Sequence, residues 1–96
     1  MPKDDAEGVK WIRRAADQGL ARTQFYLGAA YELGIGVPKD YIQGYMWHNL
    51  ASAQGHEKAK EDKLKLSKKM TKEEIAEAQR LSTQWFERKA KEEKAP

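Results

Sequence analysis

At 96 residues the chain has room for one small domain, and its lack of Cys excludes both a disulfide framework and a thiolate metal site. A hydrophobic fraction of 40%, with three Trp, four Tyr and two Phe, supplies a core, while 34% charged residues supply a solvated surface. No apolar run approaches the roughly 18 residues that cross a bilayer, and Met-Pro-Lys-Asp-Asp at the start does not resemble a signal peptide, so a soluble chain is expected.

The net charge of +3 is uneven: residues 1–56 carry six Lys or Arg against six Asp or Glu, and residues 57–96 carry twelve against nine. The later charges alternate in sign (Lys58, Lys60, Glu61, Asp62, Lys63, Lys65), which describes a solvated helix face better than a nucleic-acid patch.

An offset of 36 residues organises the chain. Pro2-Lys3-Asp4 matches Pro38-Lys39-Asp40, Gly8 matches Gly44, Trp11 matches Trp47, Ala15 matches Ala51, and Gln18-Gly19 matches Gln54-Gly55. A period in this range marks a repeat architecture, in which each unit buries its apolar face only by stacking on a neighbour.

In chain order, Asp4 with Glu7 opens a helix over about 5–18 as a capping box, and Gly19 ends it in a left-handed conformation. Phe25, Leu27, Gly28 and Tyr31 recur at helical spacing over 21–33, up to Gly34. Gly34 to Asp40 turns the chain, with Val37 expected beneath the turn. Asp40 with Gln43 opens the next helix, 41–54, which ends at Gly55.

Residues 57–70 form a degenerate helix with Ala59, Leu66 and Met70 on one face. Leu64, about 140° away, predicts cover on a second side. Thr71 with Glu74 opens a last helix whose apolar stripe is Ile75, Ala78, Leu81 and Trp85, with Glu73, Glu77, Arg80, Gln84 and Arg88 opposite. Such a helix caps a solenoid, and residues 89–96 are expected to fray.

The pattern Ala21-x-x-Gln24-x-x-Leu27-Gly28-x-x-Tyr31-x-x-Gly34-x-Gly36-Val37-x-x-Asp40, followed by Trp47, Ala51 and Gln54-Gly55, resembles the Sel1-like repeat of the tetratricopeptide-like solenoids. Residues 2–20 match the second half of a repeat, 21–56 a complete one, and 57–93 a degenerate one with its cap. The resemblance implies an all-α, right-handed superhelix of αα-hairpins, about five helices in all. The segment Met70 to Gln79 is similar to the closing helix of many bacterial members, which implies a bacterial source and a cytoplasmic or periplasmic location.

Two departures stand out. Gly8 and Gly44 occupy helix positions that family members usually fill with Ala. A mid-helix Gly costs roughly 0.5–1 kcal/mol, so its use at both sites predicts close approach of the paired helix. Lys63 replaces an apolar residue and is expected to bury its stem and extend its charge to water.

No catalytic set emerges. His48 and His56 lack metal-ligand spacing, so no metal is expected, and they read as surface or seam residues. Gly34-x-Gly36 follows a helix rather than a strand, unlike a phosphate loop. Ser52, Ser67 and Ser82 sit in helices without a matching His and Asp. The resemblance implies an enzyme alternative, β-lactam binding or hydrolysis, but no serine nucleophile with a lysine base is present. A further alternative is nucleic-acid binding by the basic C-terminal half. No cofactor is expected.

Trp11 and Trp47, at equivalent sites, are both expected to staple the core. The resemblance places a concave ligand groove on the first helices, which here implies Arg22, Phe25, Ala29 and Glu32, continued by Lys58, Glu61, Lys65 and Lys68. Such a groove suits a protein or peptide partner of acidic character. The chain begins with a second-type helix, so Val9, Trp11, Ile12 and Ala15 are expected to form an open end. That end implies either a fragment of a longer solenoid or a surface through which two copies, or another protein, complete the stack, and self-association is expected.

Overall fold

A computed structural model describes residues 5–94, with side chains from residue 7. Among these the chain forms five α-helices and no strand: α1 Asp5–Asp17, α2 Ala21–Leu33, α3 Tyr41–Ala53, α4 Glu57–Ser67 and α5 Lys72–Lys94. The architecture is an all-α helical repeat solenoid. Asp4, the cap residue of the expected box with Glu7, lies outside the described residues.

The helix boundaries follow local chemistry. Gly19, Gly34, Gly36 and Gly55 all have positive φ, between 73° and 94°, where the chain must turn sharply after a helix. Asp40 Oδ1 accepts from Gln43 N at 3.1 Å, a one-sided cap. Its own backbone N–H goes instead to Tyr31 O, which ties the turn to α2. Thr71 and Glu74 make the full reciprocal box, at 3.0 and 2.8 Å. Val37 packs beneath its turn against the core.

Packing is centred on α3, which lies against α2, α4 and α5, whereas α1 packs against α2. One core cluster joins Val9, Ala16, Leu27, Ala30, Met46, Trp47 and Leu50, and a second joins Tyr45, Leu66 and Ala78. Gly44 allows a close helix approach. A Cβ there would sit 3.2 Å from Gly28 O and 3.4 Å from Glu32 N, so the small residue serves the α2–α3 contact. Lys63 is half-buried as expected, but its ammonium is held on Asn49 Oδ1 at 3.1 Å and over the Tyr45 ring.

Four expectations need correction. Trp11 is 61% exposed, whereas Trp47 is 6% exposed. Trp47 has α5 beside it, but the corresponding side of α1 has no described helix over it. Leu64 is 57% exposed, because α4 is covered by α3 and α2 and, among the described residues, by no helix on its far side. The helix expected over 57–70 ends at Ser67, and residues 68–70 continue in tighter i to i−3 hydrogen bonds. Finally, α5 runs on to Lys94 instead of fraying after Arg88, since Lys89 bonds to Asp17 and Glu92.

Candidate protein-binding surfaces

The solenoid presents two faces, one built from the first helices of the hairpins, α2 and α4, and one from the second helices, α1, α3 and α5.

On the first-helix face, Arg22, Lys58, Glu61, Lys65 and Lys68 are exposed, while Phe25, Ala29 and Glu32 are half-buried. Three of these six charged side chains, Glu32, Lys58 and Glu61, have a partner within the chain. Lys58 lies 3.3 Å from Asp62 and 3.9 Å from Glu61, and Glu32 lies 3.2 Å from the His48 ring. Phe25 stacks on His56, with centroids 4.8 Å apart and planes 19° apart, and lies 5.5 Å from His48. It therefore seals the seam between the two units more than it faces a partner.

The two histidines serve that seam. His56 Nδ1 accepts from Ala59 N at 3.1 Å and caps α4. His48 is fully buried, and burial pushes its pKa below 6.5 even though the Glu32 bond works in the opposite direction. No three His, Asp or Glu side chains converge in a metal-holding arrangement among the described residues.

The second-helix face holds an open cleft of about 1050 Å³. Its floor is Met46 and Trp47 of α3 with Leu81 and Trp85 of α5, and the two indoles meet edge to face at 6.5 Å. Lys10, Arg13 and Arg14 line the α1 wall, while Gln84 and Arg88 line the α5 wall. Arg13 donates to the Tyr31 hydroxyl, and its guanidinium lies 5.8 Å from that ring's centroid.

One end of the cleft is closed by Asp17, which bridges α1 to α5. It accepts from Trp85 Nε1 at 3.1 Å, Arg88 at 2.7 Å and Lys89 at 3.2 Å. Partial burial works against ionisation of Asp17, but the bonds from Lys89 and Trp85 and the charges of Arg88 and Lys89 outweigh it, so its pKa falls.

At the α1 end the four expected residues do not share one open face. Val9 is buried in the main core, and Ile12 and Ala15 are half-buried, with Ile12 packed on the same cluster. Only Trp11 projects, with Arg14 over its ring at 5.4 Å.

The Sel1 repeat profile matches residues 1–20 and 21–56, more than half of the chain. The chain belongs to the Sel1 repeat family. Among curated relatives, this Sel1-repeat chain is 38% identical over 73 residues to chitin synthase regulatory factor 3 of Schizosaccharomyces pombe, a match covering 74% of the chain and 8% of that protein. It is 35% identical over 57 residues to the chitin synthase regulator SKT5 of Saccharomyces cerevisiae, covering 59% of the chain and 8% of SKT5. It is 33% identical over 58 residues to the DAP3-binding cell death enhancer 1 of Mus musculus, covering 60% of the chain and 11% of that protein. Among solved structures it is similar to c5321, described as a protective antigen of uropathogenic Escherichia coli with an SLR fold. The TM-score is 0.86 at 35% identity, over 91% of this chain and 19% of that one. The Sel1-repeat chain thus spans only a small part of each of these relatives.

The cleft residues were missed in the sequence because the period directs attention to positions that agree between units. Lys10, Arg13 and Arg14 correspond at the 36-residue offset to Met46, Asn49 and Leu50, and it is that disagreement which carried the signal. Among the described residues, no helix is long and apolar enough to cross a membrane.

Proposed function

We propose that this chain is a protein-interaction module that holds a segment of a partner protein on its repeat surface, and that it is not an enzyme. The observation that carries this reading is the repeat scaffold itself. The relatives sharing it are named as regulators or as a binding factor, and the side chains of His48, His56, Asp17, Asp40 and Glu74 are spent on caps, seams and bridges between helices. A fold of this kind supports function through the residues it displays, so the displayed surface is where partner choice resides.

The test is chemical crosslinking of the tagged chain in its source cells. One defined protein should be recovered in stoichiometric amount, crosslinked to surface positions of the helices. Recovery of no stoichiometric partner under any condition overturns the reading.

On the first-helix face, a partner of acidic character would meet Arg22, Lys65 and Lys68, the cations there that lack a carboxylate within salt-bridge range among the described residues. Replacing Arg22, Lys58 and Lys65 together by Glu should release a partner held on that face, and an unchanged crosslink yield removes the face from consideration. Self-association at the α1 end rests on the exposure of Trp11. A Trp11→Glu variant should dissociate any dimer, and light scattering that finds a monomer at high concentration overturns this part of the proposal.

A further inference from the structure

The cleft between α1, α3 and α5 carries an excess of charge that the fold does not use. Its lining holds four cations, Lys10, Arg13, Arg14 and Arg88, against one carboxylate, Asp17. That carboxylate is already taken by Arg88 and Lys89. The three α1 cations have no carboxylate within salt-bridge range among the described residues. They are spaced i, i+3 and i+4, which sets them as one stripe along the wall.

The scaffold does not require this stripe. In the complete repeat the corresponding positions are Met46, Asn49 and Leu50, two of them buried core residues. The repeat itself therefore does not demand these charges, although Arg14 also lies over the Trp11 ring. Arg13 is also held in place by the Tyr31 hydroxyl and ring, which leaves further guanidinium N–H groups to donate without a large ordering cost.

Beneath the stripe lies an apolar floor with two indoles. Small-molecule pockets are enclosed and span roughly 300–1,000 Å³. This cleft lies just above that range and is open to solvent, which suits side chains presented by a polypeptide.

We infer that the cleft is a docking site for an acidic segment of a partner protein. That segment sets an apolar side chain on Trp47 and Trp85 and carboxylates against Lys10, Arg13 and Arg14. The inference rests on the reading of the chain as a protein-interaction module and names the surface and the partner chemistry. A nucleic acid fits less well, because the cations occupy one short wall above an apolar floor instead of tracking a phosphate backbone.

The experiment is selection from a random displayed-peptide library on the immobilised full chain, followed by nuclear magnetic resonance mapping of the enriched peptides. Asp- or Glu-rich peptides with an interposed aromatic or Leu residue should be enriched, and they should shift the indole N–H signals of Trp47 and Trp85. Arg13→Glu with Arg14→Glu should weaken their binding by roughly tenfold or more, since charge-assisted bonds become like-charge contacts.

A second variant, Lys10→Glu with Arg14→Glu, keeps the Arg13–Tyr31 contact and should act in the same direction with an unchanged circular dichroism spectrum. Enrichment of basic or uncharged peptides, shifts confined to α2 and α4, or undiminished binding to both variants overturns the inference. So does preferential binding of an oligonucleotide that the variants abolish. A crosslinked partner found on α2 and α4 would sink the cleft while leaving the module reading intact, and the absence of any stoichiometric partner would sink the module reading itself.

Discussion

Gly28 and His48 show how a single position decides packing between units. A Cβ on Gly28 would lie 2.7 Å from His48 Nδ1, inside van der Waals contact with a ring buried on all sides. Gly28→Ala should destabilise the chain by about 1–3 kcal/mol in urea denaturation, as overpacking of a filled site does. Gly19→Ala meets no atom within 4 Å and suffers only from its φ of 94°, so it should cost about 1 kcal/mol. The contrast separates a clash from backbone strain. His48 adds a dependence on pH. Burial favours its neutral form in the folded state, so below pH 6.5 the unfolded chain takes up more protons and stability falls as the solution is acidified towards the depressed folded pKa. Thermal melts between pH 7 and 5 should show this loss, and His48→Gln should flatten it. The repeat pattern marked Gly28 as a family position but did not reveal its partner, because the two lie 20 positions apart and meet only when α2 and α3 pair.

The helices obeyed their local signals closely. Asp40, Gly34, Gly55 and the Thr71–Glu74 box all act where their residue types predict, since a cap needs only neighbours within three or four positions. Thr71→Ala removes one half of a reciprocal cap and should cost about 0.5–2 kcal/mol, read as a lower melting temperature with faster amide exchange in the first turn of α5. The errors arose where an element's extent depends on another element. Lys89 ends the apolar stripe of α5 and reads as the start of a frayed tail, yet its ammonium sits between Asp17 and Glu92 and over the Trp85 ring. Trp11 is the converse. Its match to Trp47 predicts burial, but α5 packs closely on α3 beside Trp47, whereas α1 packs closely only on α2 among the described residues.

Asp17 joins the two ends of the described chain, reaching across about 70 positions to Trp85, Arg88 and Lys89. These are partly exposed ion pairs, so their net contribution to stability is small, about 0–1 kcal/mol each. Their geometric effect is larger, because they hold α5 against α1 and shut one end of the cleft. Asp17→Asn should change the urea midpoint little and yet speed amide exchange in α1 and the last turns of α5. Equal exchange in both proteins would show that the bridge does not hold the helices. Since the Asp17 pKa is lowered, the bridge contributes fully above the ordinary value of 3.8 and is lost as the pH falls below it, so acid should mimic the substitution.

Five helices, the caps at Asp40 and Thr71 and the solenoid order were legible in the residues, because periodicity and capping are interactions over a few positions repeated at a fixed offset, whereas the His56 cap of α4 was not. The first-helix surface was legible as a set of positions but not as a charge pattern, since the pairing of Lys58 with Asp62 and of Glu32 with His48 exists only after folding. The second-helix cleft belongs wholly to the tertiary structure. Its basic wall, its indole floor and its Asp17 closure come from three helices far apart in sequence. Nothing local to Lys10, Arg13 and Arg14 shows that they face Trp47 and Trp85 across open space.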